Sequence, residues 1–406
     1  MKMNCSMGQE KKMKAKKRHR KNPGMLAAGL LFLLIPQAAP GEDTLRNWGF
    51  EEKEETISGR LLWLYSQSIH VETPEHPRGL LLPLENLRPQ DQEYVETRRA
   101  ELRQRLEDPP SLAWPRQVRV GRDYRFTTIT SDPSSETFVY QSNHFAFHSD
   151  VPLSPRVIRE FGQVFEATYL AVQAMPLDWH PRPPPEGHFK VLLFARRDDY
   201  YEAGGLPHTG GIYDPRRRTI LVPLSSLGLE RLGSAWTFSG DSDFRVLRHE
   251  VTHQVHHHWL SRLPIWLTEG LALYVESLPY SRGTLRFEQQ SLLENYLHRV
   301  QRDRRFTPLE QMLTMDTAEW NRVLTEDPEE AAYHYATALL MAWFFFHLFE
   351  EGEPLYRYLR AIESGYAEKE ARPYLFDHRN IEELTGEFIR QFDLQDLRLR
   401  ERGEDP

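Results

Sequence analysis

Residues 249–274 read HEVTHQVHHHWLSRLPIWLTEGLALY, and this stretch decides how the whole chain is interpreted. His249 and His253 are four residues apart, so on a helix both imidazoles lie on one face and can bind one metal ion. Glu250 lies one step round the same helix, where it can act as general base toward a water molecule at the metal. The pattern predicts a zinc site of the HExxH type.

A second helix is predicted to begin at Pro264 and to carry the third ligand. Glu269 lies on this helix among apolar residues. A solvated glutamate fits poorly between Trp266 and Leu271, whereas a carboxylate aimed at the metal explains the position. Glu276 shares the same helical face and either orients a ligand or is a solvated charge at the helix end. We expect only Glu269 to ligate, because the two acids are offset by about 10 Å along the helix.

Other groups near this motif are weaker candidates. A zinc hydrolase also needs a group that stabilises the oxyanion, commonly Tyr, His or Arg. Tyr335 is our choice, with His334 as a second candidate, because YHYA at 333–336 resembles the Tyr-Ala segment that follows the zinc helices in the gluzincin metallopeptidases. A core tyrosine with a satisfied hydroxyl is the alternative for Tyr335. The histidines 256–258 are expected to lie on the surface at a helix end, because no glutamate follows His253 to serve as base for a His253–His257 pair.

The two helices resemble those of the gluzincin metallopeptidases, most closely the bacterial peptidase MA-like group. The resemblance rests on HEVTH at 249–253 and PIWLTEGLA at 264–272, and it covers about residues 140–350. It implies Zn²⁺ held by His249, His253 and Glu269. Aminopeptidase relatives carry a Gly-x-Met-Glu-Asn segment that holds the amino terminus of the substrate, and this segment does not occur here. We place the corresponding region at 210–213. Its departure from the pattern argues against an exopeptidase, so we expect an endopeptidase or a more specialised cleavage.

The first 40 residues predict a secretory leader. They carry nine basic side chains and one acidic one, followed by an apolar run over 25–35 that ends in small residues. The run is shorter than the roughly 20 residues of a membrane span, although an uncleaved leader would anchor the protein. Cys5 precedes the run, which argues against a lipoprotein, and the long basic segment suggests a start at Met13. A nucleic-acid-binding arm is the alternative; we expect an extracytoplasmic protein, periplasmic or secreted.

The remaining 366 residues have a net charge of −16 and contain no cysteine. Such an acidic body is a poor general binder of nucleic acids, so no nucleic-acid partner is expected. Any metal site must use His, Asp and Glu side chains. A second apolar run, at 336–349, is interrupted by His347 and predicts a core helix, so no membrane span is expected beyond the leader.

A small β module is predicted at residues 44–106, with strands at 57–64, 68–72 and 79–84 and a helix at 91–106. The segments RNW at 46–48, GRLLW at 59–63, LPLENL at 82–87 and DQEYV at 91–95 resemble the SH3-like module of an endocytic-adaptor homology family. That family also occurs in secreted bacterial proteins, and the resemblance implies a protein ligand. An unrelated small β-barrel is the alternative.

The rest of the chain predicts an α+β fold. Proline-rich residues 107–117 predict a linker, residues 118–240 a β-rich subdomain, and residues 241–406 a helical, zinc-binding subdomain. The first functional hypothesis is a secreted zinc metallopeptidase that hydrolyses peptide or protein substrates with zinc-activated water and Glu250 as base. The second is a catalytically silent extracytoplasmic binding protein with this fold, although all four motif positions are intact. The third is a zinc hydrolase of non-peptide amides.

Overall fold

The structure is a computed structural model that describes residues 45–52, 54–121, 124–132, 137–184, 187–207, 209–233, 235–238, 243–300 and 302–403. The expectations for the leader, including Cys5 and Met13, lie outside these residues. From Thr44 to Pro406 the chain forms one compact unit. Within the described ranges, no helix combines the length and the apolar character that crossing a bilayer requires.

The N-terminal module is an antiparallel sheet of four strands, in the order β1-β2-β3-β4, followed by a helix. Its elements are β1 (Arg46–Gly49), β2 (Thr56–Leu64), β3 (Ser68–Glu72), β4 (Leu80–Pro83) and α1 (Pro89–Glu107). The indole N–H of Trp48 donates to the Gly59 carbonyl over 3.1 Å. The buried carboxylate of Asp91 accepts from the Gly49 N–H at 2.9 Å and from Arg46 at 2.6 Å. These bonds fix the helix to the first strand.

The β-rich part is built on a six-stranded sheet in the order β10-β11-β9-β8-β7-β6. The elements are β5 (Gln117–Arg119), β6 (Thr127–Asp132), β7 (Thr137–Gln141), β8 (Phe145–Ser149), α2 (Pro155–Ala174), β9 (Phe189–Phe194), α3 (Arg197–Glu202), β10 (Ile212–Asp214) and β11 (Thr219–Pro223). β9 is parallel to both of its neighbours, and β10 pairs antiparallel with β11 at one edge. The edge strand β10 and its neighbour β11 both contact the helix that carries His249 and His253.

Helix α2 covers one face of this sheet. It begins with Pro155 at its first position, after Ser154, whose hydroxyl oxygen accepts the N–H of Val157. The rings of Phe145 and Phe147 on β8 meet Phe165 edge to face, at centroid distances of 5.2 and 5.0 Å. Burial of these large rings holds the helix against the sheet.

The C-terminal half is mainly helical, so the predicted mixed α+β fold is confirmed. Its elements are β12 (Leu229–Leu232), β13 (Ala235–Phe238), α4 (Arg245–Val255), α5 (Ile265–Ser277), β14 (Tyr280–Ser281), β15 (Thr284–Arg286), α6 (Gln289–Arg299), β16 (Arg305–Phe306), α7 (Leu309–Thr314), α8 (Thr317–Glu326), α9 (Pro328–Trp343), α10 (Glu353–Glu363), α11 (Glu368–Leu375), α12 (Ile381–Asp393) and β17 (Arg400–Glu401). The apolar run at 336–349 is buried as predicted, although the α-helix ends at Trp343 and a wider turn, Phe344–Leu348, follows.

Residues 109–116 connect the module to the rest of the chain without regular secondary structure. The Trp114 ring in this segment stacks on Phe346 at 5.6 Å and lies 4.2 Å from the His347 ring. The module also packs on the segment that follows α4, since Trp63 meets Trp259 edge to face at 4.8 Å. The predicted linker is therefore irregular in backbone but packed against the helical half.

Helix α5 packs between α4 and α9, and its contact with α9 depends on one glycine. A Cβ atom at Gly270 would lie 2.6 Å from the Ala338 carbonyl oxygen and 3.1 Å from the Ala342 Cβ. Because Gly270 follows Glu269 directly, this close approach also sets the position of that carboxylate.

We predict that Gly270→Ala destabilises the protein by about 1–3 kcal/mol, because the added methyl group forces the two helices apart. Gly386→Ala, in α12, is the matched control, since its Cβ would meet nothing within 4 Å. There, the same change should stabilise by about 0.5–1 kcal/mol through helix propensity. Urea denaturation followed by circular dichroism measures both, and equal effects at the two sites would contradict the close-packing argument.

Candidate metal centre

The two histidines of α4 and Glu269 of α5 bring three ligand atoms together. His249 Nε2 lies 3.1 Å from His253 Nε2 and 3.3 Å from Glu269 Oε2, and His253 Nε2 lies 3.6 Å from Glu269 Oε1. Ligands bound tetrahedrally at about 2.05 Å are separated by about 3.3 Å. The three residues therefore fit a single small metal ion, and within the described ranges they are the group of histidine, cysteine and acidic side chains that converges in this way.

Local sequence explains why both helices present these atoms. In α4 the apolar residues Leu247, Val251 and Val255 are buried at four-residue spacing, which leaves the two histidines on the neighbouring stripe. Pro264 caps α5, which begins at Ile265, so the chain reverses within a few residues of α4. The short turn returns Glu269 to the height of the histidines, as the sequence predicts.

Glu276 orients one of the histidines, which decides between its two predicted roles. Its Oε2 lies 3.0 Å from His249 Nδ1, and its Oε1 accepts a hydrogen bond of 2.6 Å from Arg299. Although burial alone would raise the pKa of Glu276, the hydrogen bond from His249 and the charge of Arg299 keep it below its usual range. An ionised acid at Nδ1 holds the proton there and directs the Nε2 lone pair at the metal position.

The two histidines differ in their affinity for a proton. Burial alone would lower the pKa of His249, but hydrogen bonds with Glu269 and Glu276 raise it well above its usual range. Burial lowers the pKa of His253, and the positive charge of His249 acts in the same direction. The pair therefore accommodates one positive charge beside the carboxylates, which a metal cation would replace.

Glu250 points to the same place without belonging to the ligand group. Its Oε2 accepts the backbone N–H of Tyr213 at 2.7 Å. Burial raises the pKa of Glu250 to about 7, and the effects of His249 and the Tyr213 N–H only partly offset it. A fixed carboxylate that titrates near neutrality has the properties of a general base.

Tyr213 belongs to β10, the edge strand, and this backbone contact carries no signal in the sequence. In the antiparallel pairing with β11, Tyr213 lies opposite Ile220. Its N–H is directed at Glu250 and so away from β11. The open edge of β10 therefore faces the metal centre, in the region (210–213) that the sequence comparison with aminopeptidases singles out.

Tyr335 and His334 have different surroundings on α9. Burial raises the pKa of Tyr335 well above its ordinary value, and the negative charges of Glu269 and Glu250 raise it further, while a hydrogen bond with Trp320 lowers it, so its hydroxyl is neutral. His334 is buried and lies 3.0 Å from Glu330. Both side chains pack against Trp320, with ring centroids 5.1 Å away for Tyr335 and 5.8 Å away for His334. Of the two, only Tyr335 is affected by the charges of Glu269 and Glu250.

The prediction that residues 256–258 are surface histidines is wrong for His256. That side chain is fully buried, and its Nδ1 contacts the Thr252 carbonyl. His257 Nδ1 lies 2.8 Å from the Tyr213 hydroxyl, and His258 packs against an indole of the N-terminal module. Burial lowers the pKa of His256 and His257 to about 4, so both are neutral. The chain turns inward after α4 and is covered by the module, which local sequence does not reveal.

No protein-family model matches this chain, and neither the curated proteins nor the solved structures include a significant match.

We predict that Glu269→Ala weakens metal affinity by orders of magnitude, because it removes a ligand. Glu276→Ala should weaken it by about 10- to 100-fold, because it removes only the acceptor that orients His249. Competition against a chromogenic chelator measures both affinities. Glu382→Ala, on the exposed side of α12, is the control and should leave the affinity unchanged. The ligand assignment fails if Glu276→Ala strips the metal and Glu269→Ala does not.

Proposed function

We propose that this protein is a zinc-dependent peptidase of the gluzincin type, allied to the bacterial peptidase MA-like group. The observation that carries the proposal is the convergence of His249, His253 and Glu269 beside Glu250, an acid that is not a ligand. Two imidazoles and one carboxylate are a donor set that suits Zn²⁺, and three protein ligands leave a coordination position for substrate.

In the proposed reaction each residue of this site has a separate role. When bound, zinc would act as a Lewis acid that polarises the scissile carbonyl and makes water more acidic. Glu250, fixed through Oε2 by the Tyr213 N–H, would take the proton from the attacking water and pass it to the leaving amine. The neutral hydroxyl of Tyr335 would donate to the oxyanion that develops on the carbonyl oxygen.

The edge strand favours an extended peptide as substrate. Because the outer edge of β10 faces Glu250, a peptide chain that pairs with it would pass the metal centre in an extended conformation. An edge of this kind binds main chain and needs no particular terminus. This supports endopeptidase action on peptides or proteins over hydrolysis of a small non-peptide amide.

The N-terminal module and the leader belong to the same proposal. We infer that residues 44–106 are an SH3-like module with a protein ligand, on the strength of the four-stranded antiparallel sheet and of Trp48 and Asp91 at its centre. The basic and apolar leader, and a body without cysteine, favour an extracytoplasmic location. A peptidase with an attached binding module would act on proteins that the module selects or localises.

Glu250→Gln should retain stoichiometric zinc and lower turnover by about 10²- to 10⁴-fold, because the amide cannot accept the proton. His249→Ala should lose both zinc and turnover. Digestion of casein and of a peptide library, with metal analysis of each variant, measures these effects. Full activity in Glu250→Gln would remove the proposed mechanism. Stoichiometric zinc in the wild-type protein with no cleavage of any peptide would favour a silent binding protein or a non-peptide amidase.

Tyr335→Phe should lower kcat by about 10²- to 10³-fold without changing zinc content or KM, because it removes one donor to the oxyanion. Tyr333→Phe is the matched control on the same helix, since that hydroxyl donates to Asp303 at 2.6 Å. It should leave kcat unchanged. If both variants keep wild-type kcat, Tyr335 is a core tyrosine and another group stabilises the oxyanion.

A further inference from the structure

One cavity in the described part of the chain is lined by residues other than the proposed metal ligands. It has a volume of about 1050 Å³ and is bounded by the N-terminal module, by one face of the six-stranded sheet and by residues 257–261 that follow α4. Protein pockets that hold small organic ligands range up to about 1000 Å³. The cavity is therefore large enough for a metabolite-sized molecule.

The walls of this cavity are basic, although the body of the protein is acidic. Five permanently charged side chains line it, and the lining residues include no aspartate or glutamate; the five are Arg78, Lys190, Arg216, Arg217 and Arg218. A concentration of one sign of charge in a concave site focuses its field on the interior. In a body with a net charge of −16, this local excess of cations stands out as a site for anions.

Two of the five cations are neutralised by neighbouring acids, and three are not. Arg217 lies 3.4 Å from Asp214, and Arg218 forms a 2.6 Å ion pair with Glu72 of the module. Arg78, Lys190 and Arg216 form no ion pair with an acid among the described residues. All three side chains are exposed to solvent and lie around the same cavity, where an anion could contact them together.

Two of the three unpaired cations, Lys190 and Arg216, are held by regular backbone structure. On β9 the residues on either side of Lys190 are buried beneath α2, so strand alternation directs Lys190 to the opposite face and into the cavity. Arg216 lies in the turn between β10 and β11, where its backbone N–H donates to the Asp214 side chain at 2.8 Å. The site is thus formed by a strand and a hydrogen-bonded hairpin turn.

The remaining walls combine hydrogen-bonding and apolar groups. Five histidines contribute ring nitrogens, and Leu62, Leu192 and Leu260 contribute apolar surface. A bare inorganic ion would leave this apolar surface unused, whereas a carbon skeleton would cover it.

We propose that this cavity binds a small organic molecule with at least two phosphate groups. A phosphate monoester carries about 1.5–2 negative charges at neutral pH, so two of them match the three uncompensated cations. Arginine binds phosphate oxygens through two parallel N–H groups, and lysine adds a point charge. The site does not depend on the metal centre or on the proposed peptidase activity.

The test is isothermal titration of the full-length chain with fructose 1,6-bisphosphate as probe, beside inorganic phosphate and a hexaglutamate peptide. The test variant is the double substitution Lys190→Gln and Arg216→Gln. The control variant is the double substitution Arg196→Gln and Arg322→Gln. The two control arginines do not line the cavity, and their side chains are 70% and 57% exposed. Both pairs remove two positive charges, so the basic leader and the overall charge affect them equally. Thermal unfolding of each variant shows that the fold is retained.

We expect one bisphosphate per chain, an affinity at least tenfold weaker in the cavity variant, and less than a twofold change in the control. Inorganic phosphate should bind at least tenfold more weakly than the bisphosphate. An equal loss in both variants, or no saturable binding to the wild-type chain, would overturn the proposal. Tighter binding of hexaglutamate than of the bisphosphate would overturn it in favour of an acidic peptide as occupant.

Discussion

The structure depends on holding one carboxylate against two imidazoles in a largely enclosed site. Lone pairs of His249, His253 and Glu269 face one point, and a buried group of acceptors is costly unless a cation or a proton lies between them. The packing around the site enforces this arrangement, because the backbone of α5 contacts α9 directly at Gly270. Packing of the helical core thus stabilises the positions of these three side chains before any metal binds.

The surroundings give each acid of the site its own role. Glu269 lies between the imidazoles, Glu276 accepts from the outer nitrogen of His249 and from Arg299, and Glu250 accepts from the edge strand. The histidines and Arg299 keep the pKa values of Glu269 and Glu276 below their usual range, so both acids remain ionised. Burial instead raises the pKa of Glu250 to about 7. The proposed ligand Glu269, the acid Glu276 beside His249 and the proposed base Glu250 therefore differ in their environments, although all three are glutamates.

Local patterns in the sequence were sufficient to predict which three side chains converge, but not what surrounds them. The spacing of His249 and His253, and an acid among apolar residues at 269, are set by helix geometry alone, so they could be predicted. The orientation of His249 needs Arg299 and Glu276 from different helices, and the contact to Glu250 comes from a backbone N–H that any residue except proline would provide at position 213. His256 is buried because of the inward turn of the chain after α4, which no local pattern reveals.

The most direct test of the central claim is X-ray absorption at the zinc edge on the purified full-length protein, with the zinc content measured on the same sample. A zinc centre formed by His249, His253 and Glu269 should give one zinc per chain, with a first shell of nitrogen and oxygen only, two imidazoles, and bond lengths of about 2.0–2.2 Å. Zinc well below one per chain in protein refolded with excess zinc, or a shell that contains sulfur, would contradict a centre formed by His249, His253 and Glu269.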